Sequence, residues 1–271
     1  MRGVPIVSVI MPSYNHKDYV LDAIESVINQ RGVDFELDLV VIDDGSTDGS
    51  VDLLKQLHLE RKEAFQLVIK DNEGLCKTLN RAVSHYAKGD YIAIIASDDM
   101  WAPEKLSTQL RCLLNSPEYG LCYSNAQLFG EVSAPRRSSR FLFSGQVKSL
   151  LTLYNFIPAG TVLYRRSLFD AIGGYDTTGL LLEDWDFLIR AANKTRFIAI
   201  DSDLLLYRIH GESSLAKMRQ RGILYAEKRK VLVKNSAILN PLLRQVALVT
   251  HFALDVLLRK AFPSIKLSLL K

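Results

Sequence analysis

YIAIIASDD, residues 91–99, is the stretch that decides the fold, because an apolar run leads there into a serine and two adjacent carboxylates. The run indicates a buried strand that ends at Asp98 and Asp99. Two neighbouring carboxylates repel each other unless a cation compensates their charge, and a divalent metal with oxygen ligands is a natural compensation. The alternative is a solvated Ser-Asp-Asp turn ahead of the next helix, which begins near Pro103.

Strand and helix patterns alternate on both sides of this stretch. Other buried strands are predicted at residues 7–11, where Pro12 would stop the strand, at 37–42 and at 65–69. Helices are predicted between the strands, over residues 15–28 with Asn15 as cap, 47–57, 75–87 and 103–114. Strands separated by helices of this length form right-handed βαβ units, so the fold class is α/β with a mostly parallel sheet.

Polar clusters follow three of the predicted strands. They occupy residues 12–15, 43–46 and 97–99. Because ligands of parallel sheets bind at the carboxyl ends of the strands, the three clusters are expected to line one rim. Their convergence favours a ligand site over a solvated turn.

In the second half, strands are predicted at residues 159–164, 197–200 and 204–209, and a helix begins at Glu183. From Pro241 an apolar stripe runs at helical spacing, with basic residues around it. Such a helix lies at an anionic membrane surface, or packs on the body of the protein or on a second subunit as a homo-oligomer contact. The sequence leaves these alternatives open.

The chain has 271 residues, of which 48% are hydrophobic and 24% charged, as in an ordinary globular protein with a sizeable core. Its net charge of +4 is unevenly placed, because residues 211–271 hold 12 lysines and arginines against 3 aspartates and glutamates. A basic tail on an acidic body indicates an anionic partner or another subunit for the tail. No nucleic-acid partner is predicted.

Three cysteines without paired spacing, Cys76, Cys112 and Cys122, indicate neither a disulfide framework nor a zinc site. The first residues do not resemble a signal peptide, and no run of 18 apolar residues occurs. We therefore expect a cytoplasmic protein, with the basic tail allowing peripheral attachment to the cytoplasmic face of a membrane.

Taken in order, the motifs resemble family 2 glycosyltransferases of the GT-A fold. The resemblance spans roughly residues 6–215 and rests on the order of the motifs rather than on any one of them. The matching stretches are residues 7–15, 41–48, 72–74 with Asn80, 89–91, 97–99, 173–176, 183–184 and 207–210. It implies a GT-A domain over residues 1–215, with a single mostly parallel nucleotide-binding sheet, and a helical, basic and apolar extension over residues 216–271.

Members of this family use nucleotide-activated sugars, most often UDP-sugars, with Mn²⁺ or Mg²⁺. By resemblance, Pro12 and Tyr14 lie at the nucleobase, and Asp44 accepts a hydrogen bond from the uracil N–H. Asp98 matches the residue near the ribose and sugar. Asp44 could also simply initiate the turn at Gly45.

The resemblance also assigns residues around the phosphates and the metal. Lys77 and Asn80 follow Gly74 at a helix start, where they could meet a phosphate, although Lys77 could equally be a solvated charge. Asp99 matches a metal ligand, and His210 matches a position near the diphosphate and metal. The alternative for His210 is a partly buried histidine that ends a strand.

Asp184 matches the catalytic base. An acceptor hydroxyl must lose a proton as it attacks the anomeric carbon from the face opposite the diphosphate, which gives an inverting reaction. Either Asp184 or Asp186 could instead be an ordinary acid at a helix N-terminus, but Glu183 and Trp185 on either side favour Asp184. The resemblance therefore predicts transfer of one sugar to a hydroxyl of a glycan or lipid-linked acceptor in surface polysaccharide synthesis.

Other functions fit the sequence less well. A dinucleotide-binding oxidoreductase needs G-x-G-x-x-G after the first strand, and that motif is absent there. A processive synthase would carry a Gln-x-x-Arg-Trp motif and membrane helices, which this sequence does not show. A sugar nucleotidyltransferase would carry a glycine-rich, basic first loop, which is also absent. A catalytically silent GT-A-like interaction module remains an alternative, although the acids at 98, 99 and 184 are all present.

Overall fold

The computed structural model describes residues 3–32, 35–139, 141–211 and 213–261. Within them, nine strands form one mixed sheet in the order β3-β2-β1-β4-β8-β6-β9-β5, with β7 beside β6. The strands are β1 Ile6–Ser13, β2 Glu36–Asp44, β3 Gln66–Lys70, β4 Tyr91–Ile94, β5 Met100–Trp101, β6 Tyr119–Gly130, β7 Arg136–Arg137, β8 Leu163–Arg165 and β9 Arg196–Ile209.

The strands alternate with helices. These are α1 Val20–Ile28, α2 Ser50–Glu60, α3 Leu75–Arg81, α4 Lys105–Leu114, α5 Lys148–Leu153, α6 Arg166–Ile172, α7 Glu183–Ala192, α8 Ser214–Gln220, α9 Leu224–Lys234 and α10 Pro241–Ala261. A π-helical turn, Ala82–Tyr86, continues α3, and a 3₁₀ turn, Ala159–Thr161, precedes β8.

The predicted α/β class and the mostly parallel sheet are confirmed. Strands β3, β2, β1 and β4 run parallel, β8 is antiparallel to both β4 and β6, and β6 pairs in parallel with β9. Strand β1 is buried over nearly its whole length, as expected for a central strand covered on both faces. Its carboxyl end therefore lies beside the ends of β2 and β4.

Pro12 does not stop the first strand, contrary to the prediction, because β1 continues to Ser13. The ladder between β1 and β4 ends where the Ile95 N–H donates to the Ile10 carbonyl. Pro12 falls just beyond that end, on the side where no donor is needed. A proline is tolerated at such a position.

Other boundaries also differ from the prediction. The two short strands expected at 197–200 and 204–209 are one long strand, β9, which pairs with an unpredicted strand, β6. The strand expected at 159–164 is instead a 3₁₀ turn followed by β8. The predicted helix 75–87 changes to a π-helical turn at Ala82.

Two apolar cores cover the faces of the sheet. One core includes Val9, Met11 and side chains of α1, α2 and α4, and the other includes Ile10, Ile92 and side chains of α3 and α5–α7. Residues of α9 and α10 and of the link between them belong to the second core: Val231, Leu232, Leu239 and Ala247. The domain boundary at residue 215 stays a prediction, but side chains beyond it share a core with Trp185.

Among the helices in the part of the chain that the structure describes, none is both long enough and apolar enough to cross a bilayer.

Candidate active site

The loops after β1 and β2 are joined to each other at the carboxyl edge of the sheet. The Asp43 carboxylate accepts hydrogen bonds from the Ser46 N–H at 2.8 Å and the Ser46 hydroxyl at 2.6 Å. The Asn15 N–H donates to Ser46 Oγ at 2.9 Å, and Asn15 Oδ1 accepts from the Thr47 N–H at 2.8 Å. Asn15 adopts φ 54°, a left-handed conformation that asparagine tolerates. Two of the three predicted polar strand ends therefore form one rigid unit.

Asp44 anchors the loop that follows β3. One carboxylate oxygen accepts a hydrogen bond from the Glu73 N–H at 2.9 Å and forms an ion pair with Lys70. The other oxygen accepts a hydrogen bond from the Gly74 N–H at 3.0 Å. The loop passes so close that a Cβ on Gly45 would lie 2.8 Å from the Asn72 nitrogen. Asp44 thus has a structural role that the sequence did not reveal, and its predicted contact with a nucleobase stays a prediction.

Asp98 is paired with two histidines. Its Oδ2 lies 2.8 Å from His210 Nε2 and 3.9 Å from His16 Nε2, while His16 Nδ1 lies 2.8 Å from Ser97 Oγ. Burial lowers the pKa of His16, against the Asp98 charge, which raises it. The sequence analysis missed His16, although its position directly after Asn15 on the same rim was the available signal.

Arg208 holds both acids of the β4 end, a role that the sequence analysis also missed. Its backbone N–H donates to Asp99 Oδ1 at 2.8 Å, and its Nε donates to the Asp98 carbonyl at 2.9 Å. The guanidinium carbon lies 4.8 Å from the ring centre of Tyr19 and 4.6 Å from that of Phe129. Because two rings hold the guanidinium by cation–π contacts, Arg208 fixes the orientation of Asp98 and Asp99.

A metal ion can be tested against these residues. Within the described ranges, no group of three or more His, Cys, Asp or Glu side chains is arranged to hold one. However, the Nδ1 of His210 is buried and lacks a hydrogen-bond partner among the described residues, at the same edge as Asp99. Mn²⁺ and Mg²⁺ bound to nucleotides take several ligands from phosphates and water, so the donor set of Asp99 and His210 fits such an ion.

Asp184 lies in the first turn of α7, where Asn155 Nδ2 donates to its Oδ2 at 3.1 Å. Burial raises the pKa of Asp184, and burial together with the Asp184 charge raises the pKa of Glu183 to about 8. The pKa of Tyr207 is raised chiefly by burial, and also by the charges of Asp99, Asp98 and Asp184. Tyr207 therefore lies within electrostatic range of Asp184 and of the two acids that follow β4.

Asp186, the other candidate for the base, is fully buried in an ion network. Its oxygens accept from Arg190 Nε at 2.8 Å, Lys234 Nζ at 2.7 Å and Asn235 Nδ2 at 2.8 Å. These partners occupy the carboxylate and join α7 to the end of α9. The arrangement gives Asp186 a structural role.

The remaining predicted residues lie in different surroundings. Pro12 is half-buried and Tyr14 is 48% exposed, next to each other at the carboxyl end of β1. Lys77 is exposed on α3. The Asn80 amide donates to the Tyr175 carbonyl and accepts the Tyr175 N–H, both at 2.8 Å, so it ties α3 to the turn before α7.

Asn155→Ala offers a test of the Asp184 environment. The lost hydrogen bond favours the charged carboxylate, so its removal should raise the pKa of Asp184 further. A base with a higher pKa stays protonated, and therefore inactive, up to a higher pH. The acid limb of the kcat profile should therefore move up by about one pH unit. A pH profile of kcat for both proteins measures the shift. Asn155→Asp is unsuitable as a control because it adds a charge, whereas Asn193→Ala removes an amide at the end of α7 and should leave the limb in place.

Comparison with known proteins identifies the family. The model of glycosyl transferase family 2 matches residues 8–173. Among curated relatives, TuaG of Bacillus subtilis (strain 168), named for teichuronic acid biosynthesis, is 37% identical over 110 residues, which is 41% of this chain and 42% of TuaG. EpsE of the same organism, named as a glycosyltransferase, is 29% identical over 236 residues, 86% of this chain and 82% of EpsE.

Solved structures have the same fold. S. aureus TarS superposes with a TM-score of 0.65 at 19% identity, over 94% of this chain and 72% of that chain. The mannosyltransferase PcManGT from Pyrobaculum calidifontis, in complex with GDP-Man and Mn²⁺, superposes with a TM-score of 0.67 at 18% identity, over 96% and 76%. At these identities the similarity concerns the fold alone. Since the family model covers more than half of its length, this chain belongs to glycosyl transferase family 2.

Proposed function

We propose that this protein is an inverting glycosyltransferase that moves one sugar from a UDP-sugar to a hydroxyl of a glycan or lipid-linked acceptor in surface polysaccharide synthesis. The observation that carries the proposal is the cluster of Asp98, Asp99 and His210 at the carboxyl edge of the sheet, with the buried Asp184 within electrostatic range of the neighbouring Tyr207. The relative TuaG is named for teichuronic acid biosynthesis, and TarS has been solved in complex with UDP and with UDP-GlcNAc. These names support a polysaccharide pathway and a UDP-sugar.

The nucleotide end of the donor lies along the ends of β1 and β2. Tyr14 is exposed enough to stack on a base, and Asp44 anchors the loop after β3 at the end of β2. Asp98 contacts the ribose and sugar. Its carboxylate is held by His210, and its backbone carbonyl accepts a hydrogen bond from Arg208. The donor is thereby held with its anomeric carbon toward Asp184.

Asp184 takes the proton from the acceptor hydroxyl during attack. Asn155 orients the carboxylate, and burial raises its pKa, which brings it closer to the proton affinity that a base needs at neutral pH. A divalent metal held by Asp99 and His210 would supply charge stabilisation for the leaving diphosphate. Attack from the side opposite the diphosphate inverts the anomeric centre.

Screening a panel of UDP-, GDP- and dTDP-sugars tests the proposal. Thermal stabilisation by one nucleotide class, followed by slow hydrolysis of its sugar, is the expected result. A sugar nucleotidyltransferase would instead release diphosphate from a nucleoside triphosphate and a sugar phosphate. Binding without turnover of any sugar nucleotide would favour the catalytically silent module.

Chelation tests the metal. We expect EDTA to abolish sugar transfer and Mn²⁺ or Mg²⁺ to restore it, because Asp99 and His210 lie together in the cluster that receives the diphosphate. The measurement is product formation with and without each added ion. Zn²⁺ serves as the comparison ion, since it prefers four protein ligands and should restore less activity. Full transfer by the metal-free protein would contradict the metal role.

A further inference from the structure

Helix α10 packs against the protein along one face. Ala247 and His251 are 1% and 5% exposed, and the His251 ring centre lies 5.7 Å from that of Trp185. Lys228 Nζ of α9 lies 3.3 Å from His251 Nδ1. The inward face of α10 is therefore already covered, by α5, α7 and α9.

The opposite face of α10, the outer face, is apolar and exposed. Its members are Leu242, Val246, Val249 and Leu257, exposed by 72%, 47%, 66% and 61%. Their successive spacings of four, three and eight residues place them on one side of the helix. No Asp, Glu, Lys or Arg occurs in residues 245–254. A surface helix normally turns charged residues outward, so this face needs a partner of its own.

The C-terminal part of the chain that carries α10 is basic. Helix α9 packs against α10, with Tyr225 in a ring contact with Phe252 at 5.4 Å, and it carries the exposed Arg229. The acid Glu227 on α9 is buried and bound by Lys230 Nζ at 2.7 Å. Residues 211–271 hold 12 basic against 3 acidic residues.

The basic charge of this segment distinguishes between two possible partners, a second copy of the chain and a lipid surface. A second copy docked on the outer face would bring together two C-terminal segments that are both basic, and like charges repel. An anionic lipid surface attracts the basic residues and accepts the apolar side chains at its headgroup boundary. We propose that the outer face of α10 docks on the surface of an anionic lipid bilayer.

The position of α10 connects docking to the acceptor. Helix α10 packs on α5, and the residues after α5 are Tyr154, 61% exposed, and Asn155, which bonds Asp184. Leu181, 47% exposed, lies just before Asp184. This step rests on the proposed function. A docked protein would present its base on the side near the lipid, where a lipid-linked acceptor hydroxyl is available.

Truncation cannot test this inference. A chain ending near residue 215 would lose Val231, Leu232 and Ala247 from the second core and would unfold. The test is the full-length triple variant Val246→Gln, Val249→Gln, Leu257→Gln. Its matched control is Val4→Gln, Leu59→Gln, Leu114→Gln, which removes exposed apolar side chains elsewhere.

The measurement is co-sedimentation with vesicles of phosphatidylcholine, alone or mixed with phosphatidylglycerol. Wild-type protein and the control should bind the anionic vesicles, less at physiological than at low salt, and the α10 variant should bind at least about tenfold more weakly. Equal binding to neutral vesicles, no binding by the wild type, or equal binding by the α10 variant would overturn the inference. So would a wild-type dimer, seen by light scattering, that the α10 variant lacks.

Hydrolysis of the nucleotide sugar separates this inference from the proposed function. The α10 variant should keep wild-type hydrolysis while losing vesicle binding, because none of the three substituted residues belongs to the candidate active site. Absence of hydrolysis in every protein would refute the proposed function and leave the vesicle result to decide the docking surface.

Discussion

Asp184→Asn is expected to lower kcat by about 10²–10⁴-fold, the range for loss of a general base. The amide has nearly the shape of the carboxylate and can still contact Asn155, but it cannot take a proton. The affinity for UDP should change little, because the proposed function places Asp184 on the acceptor side. Steady-state transfer assays give kcat, and calorimetry with UDP gives the affinity.

Asp186→Asn is the matched control, since it makes the same change two residues later on α7. It should lower the melting temperature, because Lys234 and Arg190 lose the charge that neutralises them in a buried network. The kcat of the protein that remains folded should stay near the wild-type value. A loss of kcat as large as that of Asp184→Asn, in a folded Asp186→Asn protein, would contradict the assignment of the base.

The part of the fold that could be predicted from sequence is the part fixed by local patterns. Strands β1, β2 and β4 are short apolar runs, and polar residues at or shortly after each strand end can be recognised from the sequence. Because parallel strands share one carboxyl edge, the clustering of their polar ends follows from topology alone. The sequence therefore predicts Asp98 and Asp99 at the carboxyl edge of the sheet, where the structure has them.

The pairing of β6 with β9 could not be predicted in this way. Strand β6 contains glycine, serine and asparagine, which have low strand propensity. Its regularity comes from pairing with residues more than 70 positions away, and the register shifts at Asn125. There the buried Asn125 amide donates to the Ser139 carbonyl at 2.6 Å, a long-range bond that no local pattern contains.

The site shows the same division between local and distant causes. Motif order pointed to His210, but its bond to Asp98 joins residues 112 positions apart. Arg208 orients the acids through its backbone, its side chain and two aromatic rings, none of which a residue type reveals. Asn80 illustrates the reverse case. Its position fits a phosphate site, but both hydrogen bonds of its side-chain amide are made with the backbone of Tyr175.

Asp99→Asn is expected to weaken metal and nucleotide binding together. Asp99 Oδ1 accepts the Arg208 N–H, and asparagine keeps an oxygen for that bond, so the local fold should survive while the negative charge is lost. We expect the affinity for UDP with Mn²⁺ to fall by at least about 10–100-fold, the range for disturbing the residues around a metal. Calorimetry with UDP, in the presence and absence of Mn²⁺, measures the affinity for the nucleotide and the contribution of the metal to it.

The exposed acid Asp52 on α2 provides the control for loss of one negative charge, and Asp52→Asn should bind as the wild type does. In wild-type protein, Mn²⁺ and UDP together should raise the melting temperature more than UDP alone, because a ligand that binds only the folded state stabilises it. Asp99→Asn should lose this increment, whereas Asp184→Asn should keep it. If the two variants lost UDP affinity equally, the division of roles between the metal ligand at the end of β4 and the base on α7 would be wrong.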